Sequence, residues 1–257
     1  MQIQAAEIVP WVHAFMWPFL RVAGFVLVAP IFGAAVVPGR TRVIIALALS
    51  ILIAPIVPPA PPLETFSAPF FLTIVNQLLI GSAIGFVVQL VFDALVIGGQ
   101  TIAMTMGLGF ATLIDAQRGA SVPVVSQFML VFGMLIFLSI NGHIALIATL
   151  AESFRWAPIG TDFPAAGAYQ AAHFAGYMFS AGVVIALPAV VALVIVNFGL
   201  GVVSRAAPAL NLFAIGFPIT MLFGFLIVMF SLKLLPERVS DMVDTSLQQV
   251  ATMLTAR

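Results

Sequence analysis

The 257-residue sequence is 63% hydrophobic and only 7% charged, with a mean hydropathy of +1.22, whereas soluble domains carry roughly 25% charged residues. This composition excludes an ordinary water-soluble domain. Nine basic and nine acidic residues balance to zero net charge, no basic run forms a surface for nucleic acid, and the lack of cysteine excludes disulfides and thiol chemistry.

Apolar stretches approach the roughly 20 residues that cross a bilayer several times along the chain. They predict an all-α fold, a polytopic integral membrane protein built from helical hairpins. The first stretch, about 11–37, follows Glu7 and contains Arg21, so we expect it to be retained and not cleaved as a signal peptide. The second, 43–57, ends in a proline cluster that predicts a stiff loop.

The third stretch, 69–110, is too long for one ordinary span. It contains polar residues at intervals that largely repeat one helical face: Gln77, Gln89, Asp93 and Gln100. The pattern predicts one long helix, or two broken ones, with a polar stripe facing other protein.

The second half begins with a polar turn at 115–119 and another spanning stretch at 124–150. Residues 152–167 are predicted to form the longest loop. Two further stretches, 174–203 and 212–235, predict a helical hairpin. After Pro236 the spacing of apolar residues predicts an amphipathic helix lying on the membrane surface or against a partner.

The glycines of the third stretch have their own spacing. Gly81 and Gly85 are four residues apart, and Gly98, Gly99 and Gly107 follow. Small residues at this spacing allow helices to approach closely, which favours helix contacts at these positions; the alternative is chance occurrence in a glycine-rich membrane chain.

Three charged residues lie inside or at the edge of apolar stretches: Arg21, Asp93 and Arg205. Each costs at least about 2.5 kcal/mol if it faces lipid at the bilayer centre, so we expect them to face protein, water or headgroups and to serve as buried or assembly charges. Asp93 could act in a proton or ion relay, or it could form an interhelical or intersubunit pair with Arg21 or Arg205.

The sequence offers no catalytic constellation. No Gly-x-Ser-x-Gly elbow is present, and the three histidines lack the spacing that places metal ligands on one helical face. We therefore predict a protein that is not an enzyme and that has no cofactor and no metal.

Several motifs resemble the FliR family, in the family's order and over essentially the whole chain. They are Arg21-Val-Ala-Gly24 with Pro30, Gly107 to Asp115, Phe137 to His143, Arg205 to Asn211, and Phe213-Ala-Ile-Gly-Phe-Pro218. The last motif favours the flagellar members over their injectisome relatives.

This resemblance implies a subunit of the flagellar type III export gate in the bacterial inner membrane and flagellar basal body. It implies FliP and FliQ as partners in a channel for unfolded flagellar proteins, with FlhB and FlhA as further partners and membrane lipid around the assembly. Residues 1–170 would form a FliP-like region, and 171–257 a FliQ-like hairpin with an amphipathic tail. The helices would stand largely above the membrane plane inside a protein ring.

The resemblance also implies a channel plug at 110–122. Phe110, Leu113 and Ile114 would help to close the resting channel, while Asp115, Gln117 and Arg118 would form its polar turn. Relatives often carry Asp-Pro where this chain has Asp115-Ala116.

Two rival functions remain. A secondary transporter for a small solute would also show helices broken by Gly and Pro with isolated charges, but no inverted repeat is evident. A membrane-embedded enzyme would need convergent reactive groups.

Overall fold

The computed structural model describes residues 5–61, 64, 66–109, 123–207 and 212–256. These residues form eight α-helices, one short 3-10 turn at Ala54–Ile56 and no strand. The helices are α1 Ala5–Val28, α2 Gly39–Ile53, α3 Ala68–Thr105, α4 Val124–Ser139, α5 Gly142–Trp156, α6 Ala165–Ala206, α7 Leu212–Ser231 and α8 Leu235–Thr255. The predicted helical, polytopic membrane fold is confirmed.

Within the described ranges, three segments are long and apolar enough to cross a membrane: Gly39–Ile56, Ala68–Thr105 and Ala165–Ala206. The number rises to five if the broken pairs α4 with α5 and α7 with α8 are each counted as one span. The stretch from residue 69 forms one continuous helix of 38 residues, so the single-helix alternative is correct.

The chain divides into two compact units. Unit 1 comprises 1–90, 141–175 and 243–257, and unit 2 comprises 91–140 and 176–242. The units are defined by contacts, so they do not test the expected division at residue 170, which stays a prediction.

In unit 1 the backbones of α1 and α3 come into direct contact at glycines. A Cβ on Gly81 would collide with the carbonyl oxygen of Arg21, and one on Gly24 with the carbonyl oxygen of Leu78. A Cβ on Gly85 would lie 2.7 Å from the backbone nitrogen of Ala29. The helix contact predicted from the spacing of the α3 glycines is confirmed. The close approach at Gly24 gives a structural reason for the glycine in the motif Arg21-Val-Ala-Gly24.

In unit 2 the rest of α3 packs on three helices. Gly98 meets the backbone of Gly182 on α6, and Gly99 meets Ser126 on α4. Met106, fully buried just beyond the end of α3, lies against Gly224 of α7. The buried rings of Phe92 and Phe137 meet edge to face with centroids 5.4 Å apart.

Two predicted segments differ in the structure. The stretch 124–150 is not one helix, because Asn141 adopts a left-handed backbone with φ 59° between α4 and α5. The expected loop at 152–167 shrinks, since α5 continues to Trp156 and α6 begins at Ala165. Periodicity alone did not reveal either change.

The amphipathic tail is also placed differently. Most of the apolar side of α8 is covered by this chain itself: Val239, Val243 and Val250 are at most 2% exposed, while Leu247 is half-buried. Its charged side, with Glu237 and Asp244, is exposed. The prediction that the apolar side binds the membrane surface or a partner is therefore wrong.

Candidate functional site

The fully buried side chain of Arg21 lies at the centre of unit 1. Its Nε–H donates to Oε1 of Gln77 on α3 at 2.8 Å. Its Nη1 donates to Oγ of Ser153 on α5 at 3.1 Å, and its Nη2 donates to the carbonyl oxygen of Ala157 at 2.7 Å. One guanidinium group thus joins α1 to α3 and to the C-terminal end of α5.

An aromatic ring completes the surroundings of this guanidinium. The Cζ atom of Arg21 lies 4.0 Å from the ring centroid of Phe154. In this geometry the negative face of the ring attracts the cation. Each of these three hydrogen bonds to described residues ends on a neutral acceptor. Moving any of these helices away would remove a partner of the buried charge and leave that charge uncompensated. The contacts of Arg21 therefore hold α1, α3 and α5 in fixed positions relative to one another.

The sequence identified Arg21 but not most of its partners. Gln77 belongs to the predicted polar stripe, whereas Ser153 and Ala157 fall in the segment predicted as a loop. They lie 132 and 136 residues from Arg21 in the chain. No local sequence pattern marks a contact at such separations.

The other two predicted charges occupy different surroundings. Asp93 is half-buried on α3 in unit 2, and Arg205 is exposed in the last turn of α6. The described contacts of Arg21 lend no support to its pairing with Asp93. The roles predicted for Asp93 and Arg205 stay predictions.

The predicted plug residues lie outside the described part of the chain: Phe110, Leu113, Ile114, Asp115, Gln117 and Arg118. The described chain leads up to them through Gly107, whose φ of 85° ends α3 in a conformation that favours glycine.

A second candidate site is an exposed apolar surface on α6. Only 28% of the most apolar part of this helix is buried within the chain. Large apolar side chains are exposed at successive helical turns: Phe179, Val183, Leu187, Val191, Val194, Phe198 and Val202. Such a long apolar surface marks contact with lipid or with other protein.

Exposed apolar residues also lie near both ends of α3. Leu72 near its start is 61% exposed, and Met104 near its end is 58% exposed. At 1.5 Å per residue these positions lie about 48 Å apart along the helix, whereas the hydrocarbon core of a bilayer is only about 30 Å thick.

Comparison with known proteins identifies the family of this chain. The family described as bacterial export proteins, family 1, matches residues 12–246. The flagellar biosynthetic protein FliR of Escherichia coli strain K12 is 36% identical over 225 residues, which cover 87% of this chain and 86% of the relative.

Two further relatives carry the same name. FliR of Pectobacterium carotovorum is 33% identical over 97% of this chain and 95% of its own length. FliR of Bacillus subtilis is 28% identical, with 94% of each chain covered. Because both the family match and these similarities extend over most of the sequence, the chain belongs to the FliR family of bacterial export proteins.

Proposed function

We propose that this chain is a subunit of the flagellar protein export gate in the bacterial inner membrane, assembled with FliP and FliQ around a channel for unfolded flagellar proteins. FlhB and FlhA are the further partners of this gate. Family membership supports a component of flagellar export. The named partners and the channel go further than family membership and are proposed here.

The observation that carries the proposal is the separation of two exposed apolar residues near the ends of α3, Leu72 and Met104. To place both Leu72 and Met104 in about 30 Å of hydrocarbon, a helix segment of about 48 Å must tilt by about 50°, beyond the usual range of 0–40°. We infer that other protein covers one of these two ends. A subunit enclosed in a ring of other subunits meets that requirement.

The mechanism that follows is conduction without catalysis. The chain has no nucleotide-binding Gly-Lys motif, so the energy for export would come from partner components. The Arg21 contacts would keep α1, α3 and α5 fixed in the wall of the gate. Residues 110–122, which lie outside the described chain, would close the resting channel in this proposal.

Photo-crosslinking at the two ends of α3 tests the proposal. A photoreactive amino acid replaces Leu72 in one full-length variant and Met104 in another, and cells that assemble flagella are irradiated. We expect at least one variant to form an adduct with another membrane subunit, identified by mass spectrometry as FliP or FliQ.

The matched control places the same amino acid at Leu90 of α3, which is only 3% exposed. It should react within the chain. The proposal fails if both end positions react only with lipid. It also fails if the purified chain alone transports a small solute, which is the behaviour of the rival secondary transporter.

A further inference from the structure

Unit 2 contains a short apolar groove between α4 and α7. Its volume is about 320 Å³, within the range of roughly 300–1,000 Å³ usual for ligand pockets. Among the described residues, seven line this α4–α7 groove and all are apolar: Val124, Val125, Phe128, Phe225, Val228, Met229 and Leu232. These side chains offer no polar contact to a ligand and suit a hydrocarbon chain.

The length of the groove fits a lipid acyl chain. It extends from Phe225 on α7 to Leu232, just past the end of that helix, over about 10 Å at 1.5 Å per residue. This length matches one segment of an acyl chain.

A cation lies at one end of the groove. Lys233 follows Leu232 directly, is exposed and has no ion-pair partner among the described residues. It lies two residues beyond Ser231, where α7 ends, in the turn that leads to α8. Its amide N–H donates to the carbonyl oxygen of Phe230 at 3.4 Å, which closes this turn.

The end at Lys233 also marks the boundary of the apolar part of this segment. The chain bends by 61° between α7 and α8 here, and exposed Glu237 and Arg238 follow. Lysines at the ends of membrane helices extend towards the headgroup layer. A lipid whose tail occupies the groove would therefore place its phosphate near the ammonium group.

We propose that the α4–α7 groove binds one acyl chain of an anionic phospholipid, with Lys233 facing the phosphate and headgroup. This goes beyond the proposed function and does not depend on it. A zwitterionic lipid would use the same groove less tightly, because an anionic headgroup gains roughly 1 kcal/mol from each nearby lysine. That difference corresponds to an affinity ratio of about five.

The test titrates the delipidated full-length chain with phosphatidylglycerol or phosphatidylcholine of identical acyl chains and measures bound lipid by native mass spectrometry. Val124→Trp fills the groove from a position that is 76% exposed. Lys233→Gln removes the charge. We expect Val124→Trp to lose binding of both lipids, and Lys233→Gln to lose the fivefold preference for phosphatidylglycerol.

Each variant has a matched control. Val131→Trp adds the same ring on α4 at an exposed position outside the groove, and Arg238→Gln removes an exposed cation on α8. Circular dichroism verifies that all variants are folded. The proposal is overturned if Val124→Trp and Val131→Trp bind lipid equally, or if the preference survives in Lys233→Gln.

A protein occupant gives a different result. In that case Val124→Trp would leave lipid binding intact and would reduce only the amount of a membrane subunit that co-purifies with the chain. This result also overturns the proposal.

Discussion

The Nε–H of Arg21 donates to Oε1 of Gln77 at 2.8 Å, and this bond connects α1 to α3 in the interior of unit 1. Both side chains are fully buried. The bond has no access to water, so an acceptor lost here cannot be replaced by solvent.

Replacing Gln77 by Leu should therefore destabilise the protein. The Nε–H would keep its charge and lose its acceptor, at a cost of about 1–3 kcal/mol. We expect a lower unfolding temperature in detergent and less protein in the membrane. Gln77→Glu keeps an acceptor for Arg21 and should lie closer to the wild type.

Gln100→Leu is the matched control for this change, because Gln100 is exposed on the same helix. It should unfold at nearly the wild-type temperature. Equal losses of stability in Gln77→Leu and Gln100→Leu would show that the contact with Arg21 contributes nothing.

A second prediction concerns the crossing of α1 and α3. In Gly81→Ala the added methyl group would collide with the carbonyl oxygen of Arg21. Backbone atoms cannot move aside as a side chain does, so the helices must separate at a cost of about 1–3 kcal/mol. Thermal unfolding in detergent measures the effect.

Gly176→Ala provides the control within a helix. A Cβ on Gly176 meets nothing within 4 Å, and alanine stabilises a helix interior by roughly 0.5–1 kcal/mol relative to glycine. We expect unchanged or slightly raised stability. If Gly81→Ala behaved in the same way, the close helix contact would be wrong.

The sequence predicted the parts of the structure that depend on spacing along one helix. Gly81 and Gly85 lie on one side of α3 because they are four residues apart, and that spacing was sufficient to predict a helix contact. The partners of Arg21 on α5 could not be predicted in this way, because they depend on how distant segments pack.

The burial of the apolar side of α8 shows a second limit. Val239 and Val243 have the spacing of an amphipathic helix whether they meet a membrane, a partner or their own chain. Only the packed structure distinguishes these cases. Both valines are at most 2% exposed, which identifies their own chain as the partner.

The break at Asn141 could not be derived from periodicity either, because apolar residues continue on both sides of it. Asn141 has φ 59° and ψ 24°, a left-handed conformation that asparagine tolerates and β-branched residues avoid. The break is a property of one residue and its backbone.

Substitutions at Asn141 should follow this backbone preference. Asn141→Val should cost roughly 1–2 kcal/mol, because its Cβ is strained in the left-handed region. Asn141→Gly adopts the same φ without strain and should keep near wild-type stability. The unfolding temperatures of the two variants test this prediction. Equal values would contradict a left-handed residue between α4 and α5.

The last prediction concerns residues 110–122 and follows from the proposed gate. Deleting 113–120 removes Leu113 and Ile114 together with the polar turn, and should leave the resting channel open to small ions. We expect a raised ion leak through liposomes that contain the purified gate assembled with FliP and FliQ.

The control for the deletion replaces Asp115, Gln117 and Arg118 by serine and keeps the apolar residues at full length. If Phe110, Leu113 and Ile114 close the channel, this control should leak no more than the wild type, since apolar side chains exclude water and hydrated ions from a narrow passage. An assembled gate with 113–120 deleted that shows wild-type leak would exclude these residues as the plug. Co-purification of FliP and FliQ with each variant verifies that the gate has assembled before leak is compared.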